Sequence, residues 1–308
     1  MMLRYEYLST FPRIFYVMTG LNVADFDALI EEVLPRYQEG EHRRLTRRGR
    51  QRAIGGGHPF ELEVRDQFLV VIVWLRRYPI HEVLGFFFGI SDSTVSRLIE
   101  RLVPVLEAAG CDTMRMPDPG KARRKNLDAL LQDTPELAVI IDSFEQRVQR
   151  PPDRQAANNL YSGKKKQHTL KSQVAVDETT GCIVDISESV PGPTADFRLL
   201  ESSGVLKRLP AGVGALGDLA YVGIANLHPQ GLGAAPRRKP RGKLRPGEDV
   251  EYNRAFSRRR IVVEHRIGRL RHYQALTQTD RHHRRRHTSR VRAVAGLVNR
   301  RLGHPDAR

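Results

Sequence analysis

The spacing of apolar residues changes partway along the chain, and this change limits the folds that the chain can adopt. Residues 61–78, ELEVRDQFLVVIVWLRRY, have the period of a long amphipathic helix. Residues 23–37 also place apolar side chains on one helical stripe. From about residue 137 onward, apolar residues alternate or form short runs, as they do in strands. The sequence therefore predicts an all-α part followed by an α/β part.

A break between two helical segments predicts a helix-turn-helix over about 80–106. The segments are PIHEVLGFFFG and ISDSTVSRLIERLVPVLEAAG, with Gly89 supplying the turn and Ser91 the N-cap of the second helix. A helix that reads the major groove begins with small, polar or basic residues, and this one offers Ser91, Asp92, Ser93, Thr94, Ser96 and Arg97. A plain helical hairpin is the alternative, but the basic composition favours DNA binding.

The charge balance points to an anionic partner. Lys and Arg total 51 against 35 Asp and Glu, which gives a formal net charge of +16. Nucleic acid is the commonest partner of such a surplus, and an anionic membrane is the rival. No apolar run approaches the roughly 20 residues of a transmembrane helix, and we read no signal peptide. The two cysteines lack metal-ligand spacing and indicate a reducing compartment, so we expect a cytoplasmic, nucleoid-associated protein.

Two segments rich in basic residues separate the periodic parts. Residues 41–60 are predicted to form a loop, which either is simply solvated or follows DNA phosphates as an arm. Residues 116–134 are predicted to link two domains. The predicted domains are therefore an all-α domain, 1–115, and an α/β domain with a basic tail, 135–308.

The α/β part has a definite order of elements. A strand over 137–150 precedes a hairpin of two strands, 168–178 and 181–190, and a helix follows with Thr194 as its cap. A buried strand then ends at Asp218. A small helix, a short strand near GLGAAP and a long helix from about Tyr252 to Tyr273 complete the domain. The order β-β-β-α-β-α-β-α predicts a mixed sheet with a ribonuclease-H-like core.

Three carboxylates lie next to apolar runs of this domain. Asp142 ends the apolar run of its strand, Asp218 ends a short apolar strand, and Glu264 follows Ile261–Val263 in a helix expected to pack on the sheet. Neighbouring strands lie about 4.8 Å apart, so acids on adjacent strands can converge. Clustered carboxylates repel each other unless cations lie between them, and two Mg²⁺ or Mn²⁺ ions would act on a phosphodiester.

Local features by themselves favour simpler roles for these acids. Glu264 could pair with Arg260 one turn away, Asp218 could cap the following helix, and Asp142 could cap a turn. Other acids also lie near strand positions, and periodicity cannot choose among them: Asp177, Asp185 and Glu188.

Several blocks, taken together and in order, resemble one known family. They are DSFEQRVQRP, YSGKKKQHTLKSQ, PGPTADFRLL, GDLAYVG and NRAFSRRRIVVEHRIGRLR, preceded by the helix-turn-helix segment. The chain is similar, from about residue 60 to 302, to DDE-superfamily transposases of the insertion-sequence-five group and the related Harbinger type. The resemblance implies a metal-binding catalytic triad of Asp142, Asp218 and Glu264. In the signature around the glutamate, Arg260 matches, Arg271 replaces a lysine, and Ser257 replaces a tyrosine whose role is not carried over.

The resemblance also implies a reaction. Metal-activated water would cut a phosphodiester at the transposon end, and the freed 3′-hydroxyl would attack target DNA by transesterification. Two ends must be cut and joined together, so a homodimer or higher oligomer on double-stranded DNA is expected. A DNA-binding regulator without catalysis and a metal-dependent nuclease without strand transfer are the alternatives.

Further basic residues are expected to contact the DNA backbone near the cut site. They lie in a tight loop and the strand after it: Lys164, Lys165, Lys166, His168 and Lys171. Arg260 and Arg271 are assigned to DNA phosphates, residues 237–243 are predicted to form another basic loop, and His283 and His287 are interpreted as basic surface.

Overall fold

The chain folds into two compact units. The computed structural model describes residues 2–46, 61–121, 127 and 129–303. A helical unit comprises Met1–Asp112, His272–Leu276 and Arg292–Arg308, and a sheet unit comprises Thr113–Arg271 and Thr277–Val291. The predicted domains are continuous in sequence, whereas the helical unit also takes in segments from the C-terminal part of the chain. No described helix combines the length and the hydropathy needed to cross a membrane.

Six helices form the N-terminal part of the helical unit: α1 Tyr5–Ser9, α2 Pro12–Thr19, α3 Val23–Leu45, α4 Val64–Arg77, α5 His81–Phe88 and α6 Asp92–Thr113. The helix predicted over 23–37 continues to Leu45, so the first part of the segment predicted as a loop, 41–60, is helical. Ion pairs stabilise this extension, because Arg44 and Arg101 both contact Glu41. Residues 47–60 of the predicted loop, and residues 122–126 and 128 of the predicted linker, lie outside the described residues.

The turn between α5 and α6 has the features that the sequence predicts. Gly89 adopts a left-handed conformation with φ of 67°, which a glycine accepts without strain. The hydroxyl of Ser91 accepts a hydrogen bond from the amide of Thr94 at 3.2 Å and so caps α6. Val95 and Leu98 are buried, while the first residues of α6 face solvent.

Gly85 lets α5 and the turn approach each other closely. A methyl group at this position would collide with the backbone carbonyl oxygen of Ile90, which cannot move independently of the turn. We expect Gly85→Ala to lower the free energy of unfolding of the helical unit by about 1–3 kcal/mol. Gly40→Ala is the matched control, since nothing lies near its added methyl group within α3 and alanine favours a helix. Urea denaturation followed by circular dichroism measures both, and equal stabilities would refute the steric argument.

The helix α12 (His287–Arg300) explains why the C-terminal segment joins the helical unit. Gly296 of α12 lies directly against Gly110 of α6, and an added side-chain carbon at either glycine would collide with backbone of the other helix. Two facing glycines allow the helices to pack with close backbones. The apolar side of α12, including Val294 and Leu297, is buried. This long-range packing depends on two glycines with no local signal in the sequence.

Seven described strands form the mixed sheet of the sheet unit: β1 Ala138–Arg147, β2 Tyr161–Ser162, β3 Gln167–Asp177, β4 Ile183–Ile186, β5 Val190–Pro191, β6 Gly214–Leu216 and β7 Gly233–Ala234. The strand β1 is central, antiparallel to β3 on one side and parallel to β6 on the other. β3 also pairs with β4, and β6 pairs in parallel with β7. The predicted mixed sheet is confirmed.

Helices cover both faces of this sheet. They are α7 Arg154–Leu160, α8 Asp196–Ser203, α9 Val205–Arg208, α10 Ile224–Leu227 and α11 Gly247–Arg271. Val139 and Ile141 of β1 pack in one apolar cluster with Leu200 of α8 and Val205 of α9. Successive residues of a strand point to opposite faces, so Asp142 points away from this cluster. Arg260 of α11 contacts Asp142, which places α11 on the opposite face.

A buried ion pair anchors α11 to the sheet. Arg259 donates hydrogen bonds to both carboxylate oxygens of Glu178, at 2.8 and 2.6 Å. It also donates to the hydroxyl of Thr134 and the carbonyl of Pro135. The side chains of Arg259 and Glu178 are 6% and 1% exposed, so the two opposite charges neutralise each other away from water.

Loss of this arginine should be costly. Arg259→Ala removes the guanidinium that contacts both carboxylate oxygens of the buried Glu178, and we expect a loss of about 3–5 kcal/mol in the free energy of unfolding of the sheet unit. The exposed pair between Arg208 and Asp185 is a suitable comparison, and Arg208→Ala should cost less than about 1 kcal/mol. Denaturant unfolding of the two variants gives the comparison, and similar losses would show that Arg259 does not anchor α11.

Two local expectations are wrong. Thr194 does not cap α8, because the N-cap is Ala195, which forms no side-chain cap, and the carbonyl of Thr194 instead binds Lys171. His287 is not basic surface, since its ring is fully buried and hydrogen-bonds to Gln146 and Ser189. Burial, with a smaller contribution from Arg290, lowers the pKa of His287 to about 3, so the ring is neutral.

Candidate active site

The parallel pairing of β1 with β6 brings two of the predicted acids together. The last paired residues are Ile140 and Leu216. Asp142 and Asp218 each stand two residues beyond that pair, so the register directs the two carboxylates to neighbouring positions at the end of β6. The Asp218 side chain also accepts a hydrogen bond from the amide of Ala220 at 2.8 Å and caps a 3-10 turn, Leu219–Tyr221. The capping role considered from the sequence therefore coexists with a place beside Asp142.

Asp142 lies in a partly buried and electrostatically strained position. Its carboxylate accepts a hydrogen bond from the amide of Ser143 at 2.7 Å and contacts the guanidinium of Arg260 at 3.3 Å. Burial raises the pKa of Asp142, and the negative charges of Asp218 and Asp196 raise it further. The amide of Ser143 and the charge of Arg260 oppose this rise without cancelling it.

Glu264 does not join these two acids in the structure. Its side chain is exposed, and α11 presents Arg260 rather than Glu264 to Asp142. Within the described ranges, no three His, Cys, Asp or Glu side chains lie close enough to hold a metal ion together. The helix places Glu264 one turn beyond Arg260, on the same side of α11. The local alternative of a pair between Arg260 and Glu264 is not what the structure shows, because Arg260 contacts Asp142.

Tyr221 adds a buried hydroxyl to this region. The residue is 1% exposed, and within the described part of the chain its hydroxyl has no hydrogen-bond partner. Burial raises the pKa of Tyr221 far above its ordinary value, and the charges of Asp196, Asp142 and Asp218 add to the rise. Ser143 acts weakly in the opposite direction, without meeting hydrogen-bond geometry. The hydroxyl therefore stays protonated and can donate to an anion or a water molecule.

The side chains around Asp142 fit a divalent cation in their chemistry. Asp142 and Asp218 supply the carboxylate oxygens that hard cations prefer, and a cation would relieve their mutual repulsion. The unpartnered hydroxyl of Tyr221 is a group that a water molecule of such an ion could satisfy. Asp142 and Asp218 are therefore suited to hold a cation, whereas Glu264 in its present position is not part of this group.

Lys171 has a different environment from the one expected of a DNA contact. Its side chain is 8% exposed, and its ammonium group lies 2.9 Å from Asp196 and 3.9 Å from Glu145. It also donates a hydrogen bond to the carbonyl of Thr194 at 2.6 Å. The alternation of β3 turns this lysine towards α8 and away from solvent, so the expected contact with DNA phosphates is wrong for Lys171.

The other residues of the basic loop are accessible but are not beside Asp142. Lys164, Lys165 and Lys166 are exposed in the turn between β2 and β3. The sheet register pairs Thr169 with Arg147, five residues beyond Asp142 on β1, or about 17 Å at the usual strand rise. His168 is half-buried against the ring of Tyr161, with the ring centres 5.6 Å apart.

A small cleft adjoins this turn. Its volume is about 330 Å³, and cationic and aromatic side chains line it. The side chains that define its chemistry are Arg147, Arg150, Tyr161, Lys166 and His168. Basic groups beside aromatic rings are a common feature of surfaces that bind single-stranded nucleic acid.

The predicted DNA-reading residues of α6 are open to solvent in the helical unit. Ser91, Asp92, Ser93 and Arg97 are exposed, and Thr94 and Ser96 are partly exposed. In the sheet unit, Arg271 is exposed at the end of α11, whereas the side chain of Arg260 is 12% exposed and lies on Asp142. Accessibility is therefore compatible with the predicted DNA contacts except at Lys171 and, in part, at Arg260.

Sequence reasoning missed two functional candidates. Asp196 and Tyr221 lie in the blocks PGPTADFRLL and GDLAYVG, which carried the resemblance, yet neither received a role. The only local signals are an acid in the first turn of a helix and a tyrosine shortly after Asp218. Neither signal shows that both residues approach Asp142.

Comparisons with known proteins agree with the geometry. The family model described as DDE superfamily endonuclease matches residues 141–299, and that described as helix-turn-helix of DDE superfamily endonuclease matches residues 60–112. The chain belongs to the DDE superfamily endonucleases and carries their helix-turn-helix domain. The predictions of this superfamily and of the helix-turn-helix are thereby confirmed.

Two relatives have descriptions of the same kind. The chain is 32% identical over 239 residues to the probable transposase for insertion sequence element IS702 of Microchaete diplosiphon, covering 78% of this chain and 81% of the relative. It is 25% identical over 236 residues to a protein named as a transposase for insertion sequence element IS112 in Streptomyces albus G, covering 75% and 78%. No solved structure matches the chain.

Proposed function

We propose that the protein is a DNA transposase of the insertion-sequence-five and Harbinger-like group. It binds the inverted repeats at transposon ends, cuts phosphodiester bonds there and joins the 3′-hydroxyl ends to target DNA. The observation that carries this proposal is the placement of Asp142 and Asp218 side by side at the end of β6. The chain is basic, belongs to the DDE superfamily and carries a helix-turn-helix. Two neighbouring carboxylates in such a chain can hold the cations that act on DNA phosphates.

The strand order supports a ribonuclease-H-like core for the sheet unit. An antiparallel set, β4, β3 and β1, continues into the parallel strands β6 and β7, with helices on both faces. In this proposal the acids lie where the parallel pairing ends, and the sheet unit is the catalytic domain.

Asp142, Asp218 and Glu264 are proposed as the residues that hold Mg²⁺ or Mn²⁺, two ions in each site. When bound, the ions supply Lewis-acid activation of water and stabilise the leaving oxygen of the phosphodiester. Asp142 and Asp218 already lie together, and Glu264 is one helical turn from the contact between Arg260 and Asp142. Arg260 balances the charge of Asp142 in the absence of other cations and is one turn from Glu264, within reach of a bound phosphate.

DNA recognition is divided between the two units in this proposal. The start of α6, from Ser91 to Arg97, reads base edges in the major groove. Lys164, Lys165, Lys166, His168 and Arg271 contact phosphates, together with the cleft beside Tyr161. A homodimer or higher oligomer on double-stranded DNA joins the two transposon ends, and the protein is expected to be associated with the nucleoid.

Replacement of Asp142 tests the catalytic proposal. Asp142→Asn keeps the shape of the side chain but removes the charge that a cation requires, so we expect cleavage to be lost while binding to element ends is retained. Labelled ends and a plasmid target, incubated with Mg²⁺ or Mn²⁺, give the measurement. Asp185→Asn is the matched control, because Asp185 lies on β4, which β3 separates from β1, and its carboxylate pairs with Arg208.

The same assay separates the alternatives. Joined products from the unmodified protein support a transposase, whereas cuts without joining indicate a nuclease. DNA that is bound but never cut indicates a regulator. Normal cleavage by Asp142→Asn would contradict the catalytic assignment whatever the product.

The salt dependence of binding tests the basic turn. Replacing Lys164, Lys165 and Lys166 by alanine should weaken binding to all DNA sequences alike. The slope of log K against log salt should become shallower by about 0.9 for each lysine that contacts a phosphate. Lys207→Ala, at an exposed lysine of α9, is the control. An unchanged slope for the triple variant would remove this turn from the DNA path.

A further inference from the structure

A chain of hydrogen bonds and ion pairs connects Asp142 with α8 on the other face of the sheet. The amide of Ser143 donates to Asp142 Oδ1 at 2.7 Å. The hydroxyl of the same serine donates to Asp196 Oδ1 at 2.7 Å. Lys171 holds that aspartate oxygen in turn, at 2.9 Å, and donates to the carbonyl of Thr194. Ser143 is therefore fixed through its side chain while its backbone binds the catalytic carboxylate.

We propose that Asp196 is a positioning residue for the catalytic carboxylate of Asp142, acting through Ser143 and held in place by Lys171. This inference rests on the proposed function, since it concerns the same active site. Asp196 does not replace Glu264 as a ligand. It sets the direction of the Ser143 amide and thereby the orientation in which Asp142 meets a cation.

Asp142 needs this additional support because the pairing of β1 with β6 ends before it. Paired residues of the two strands end at Ile140 and Leu216, so β6 does not fix β1 at the position of Asp142. On the other side, β3 pairs with Asp142 and Ser143 through Val174 and Gln173. The backbone around Asp142 is thus supported on one edge only, and the contact of Ser143 with Asp196 supplies support from the face that α8 covers.

The charges around Lys171 indicate that Asp196 does more than neutralise this lysine. Glu145 also lies beside Lys171, at 3.9 Å, and accepts a hydrogen bond from Thr169 at 2.6 Å. Glu145 and Lys171 are 7% and 8% exposed, so they already form a buried pair of opposite charges. Asp196 adds a second carboxylate near Asp142, where its charge also acts on Tyr221 and Asp142. An extra negative charge near two other acids is favourable when a cation is to be bound there.

The test is a double-mutant cycle that combines substitutions of Ser143 and Asp196. Ser143→Ala removes the hydroxyl that reaches Asp196 and keeps the pair of Asp196 with Lys171. Asp196→Asn keeps an oxygen that can accept from Ser143, whereas Asp196→Ala removes both the acceptor and the charge. Mn²⁺ affinity of the full-length protein, measured by calorimetric titration without DNA, is the first readout. The rate and the DNA concentration dependence of cleavage form the second.

We expect Ser143→Ala and Asp196→Ala each to weaken Mn²⁺ binding by roughly 10–100-fold, as outer groups that orient metal ligands usually do. The double variant should be no weaker than Asp196→Ala, because both changes break one connection. Asp196→Asn should recover part of the affinity. Cleavage should fall in kcat with the KM for DNA unchanged, and Asp185→Asn should behave like the unmodified protein.

Two results would overturn the inference. One is unchanged Mn²⁺ affinity in variants whose urea unfolding shows a native fold, and the other is losses from Ser143→Ala and Asp196→Ala that simply add. If Asp196→Ala does not fold, the cycle is run with Asp196→Asn and Ser143→Ala. Asp142→Asn separates this inference from the catalytic assignment on which it rests, because normal cleavage by that variant refutes the role of Asp142 itself. Loss of cleavage in Asp142→Asn, with unaffected Asp196 and Ser143 variants, refutes the positioning role alone.

Discussion

Two carboxylates held side by side at the end of a parallel strand pair impose the main constraint on the sheet unit. The register of β1 and β6 leaves Asp142 and Asp218 as neighbours, and burial makes their repulsion stronger than it would be in water. Positive and hydrogen-bonding groups surround Asp142, including Arg260 from α11 and the amide of Ser143. A site organised in this way favours binding of further cations, which is the property that the proposed chemistry requires.

Both faces of the sheet contribute to holding this arrangement. On one face, the buried pair of Arg259 and Glu178 fixes α11, and the next residue along the helix, Arg260, reaches Asp142. On the other face, α8 presents Asp196 to Ser143 and Lys171. Asp142 and Ser143 are adjacent in β1 and point to opposite faces of the sheet. Through them, α11 on one face and α8 on the other both act on the carboxylate of Asp142. Stability and the proposed catalysis would share these contacts, and the exposed basic turn between β2 and β3 is separate from them.

The local patterns in the sequence predicted much of the fold. Periodicity located the helices of the helix-turn-helix and the order of strands and helices in the sheet unit, because those patterns arise from neighbours along the chain. Gly89 and Ser91 were identified for the same reason, since turn and cap chemistry is local. The C-terminal end of α3 and the burial of His287 were not predictable, because ion pairs and partners distant in sequence decide them.

The sequence by itself determined that the chain is strongly basic, that it has a helix-turn-helix, and that Asp142 and Asp218 each follow an apolar run. Only the tertiary structure decided which acids come together: Asp218 and Asp196 approach Asp142, while Glu264 stays exposed one turn beyond Arg260. It also decided that Lys171 is buried in ion pairs instead of facing DNA. The reason is physical, since strand register and helix packing set distances between residues far apart in sequence, and no local pattern records those distances.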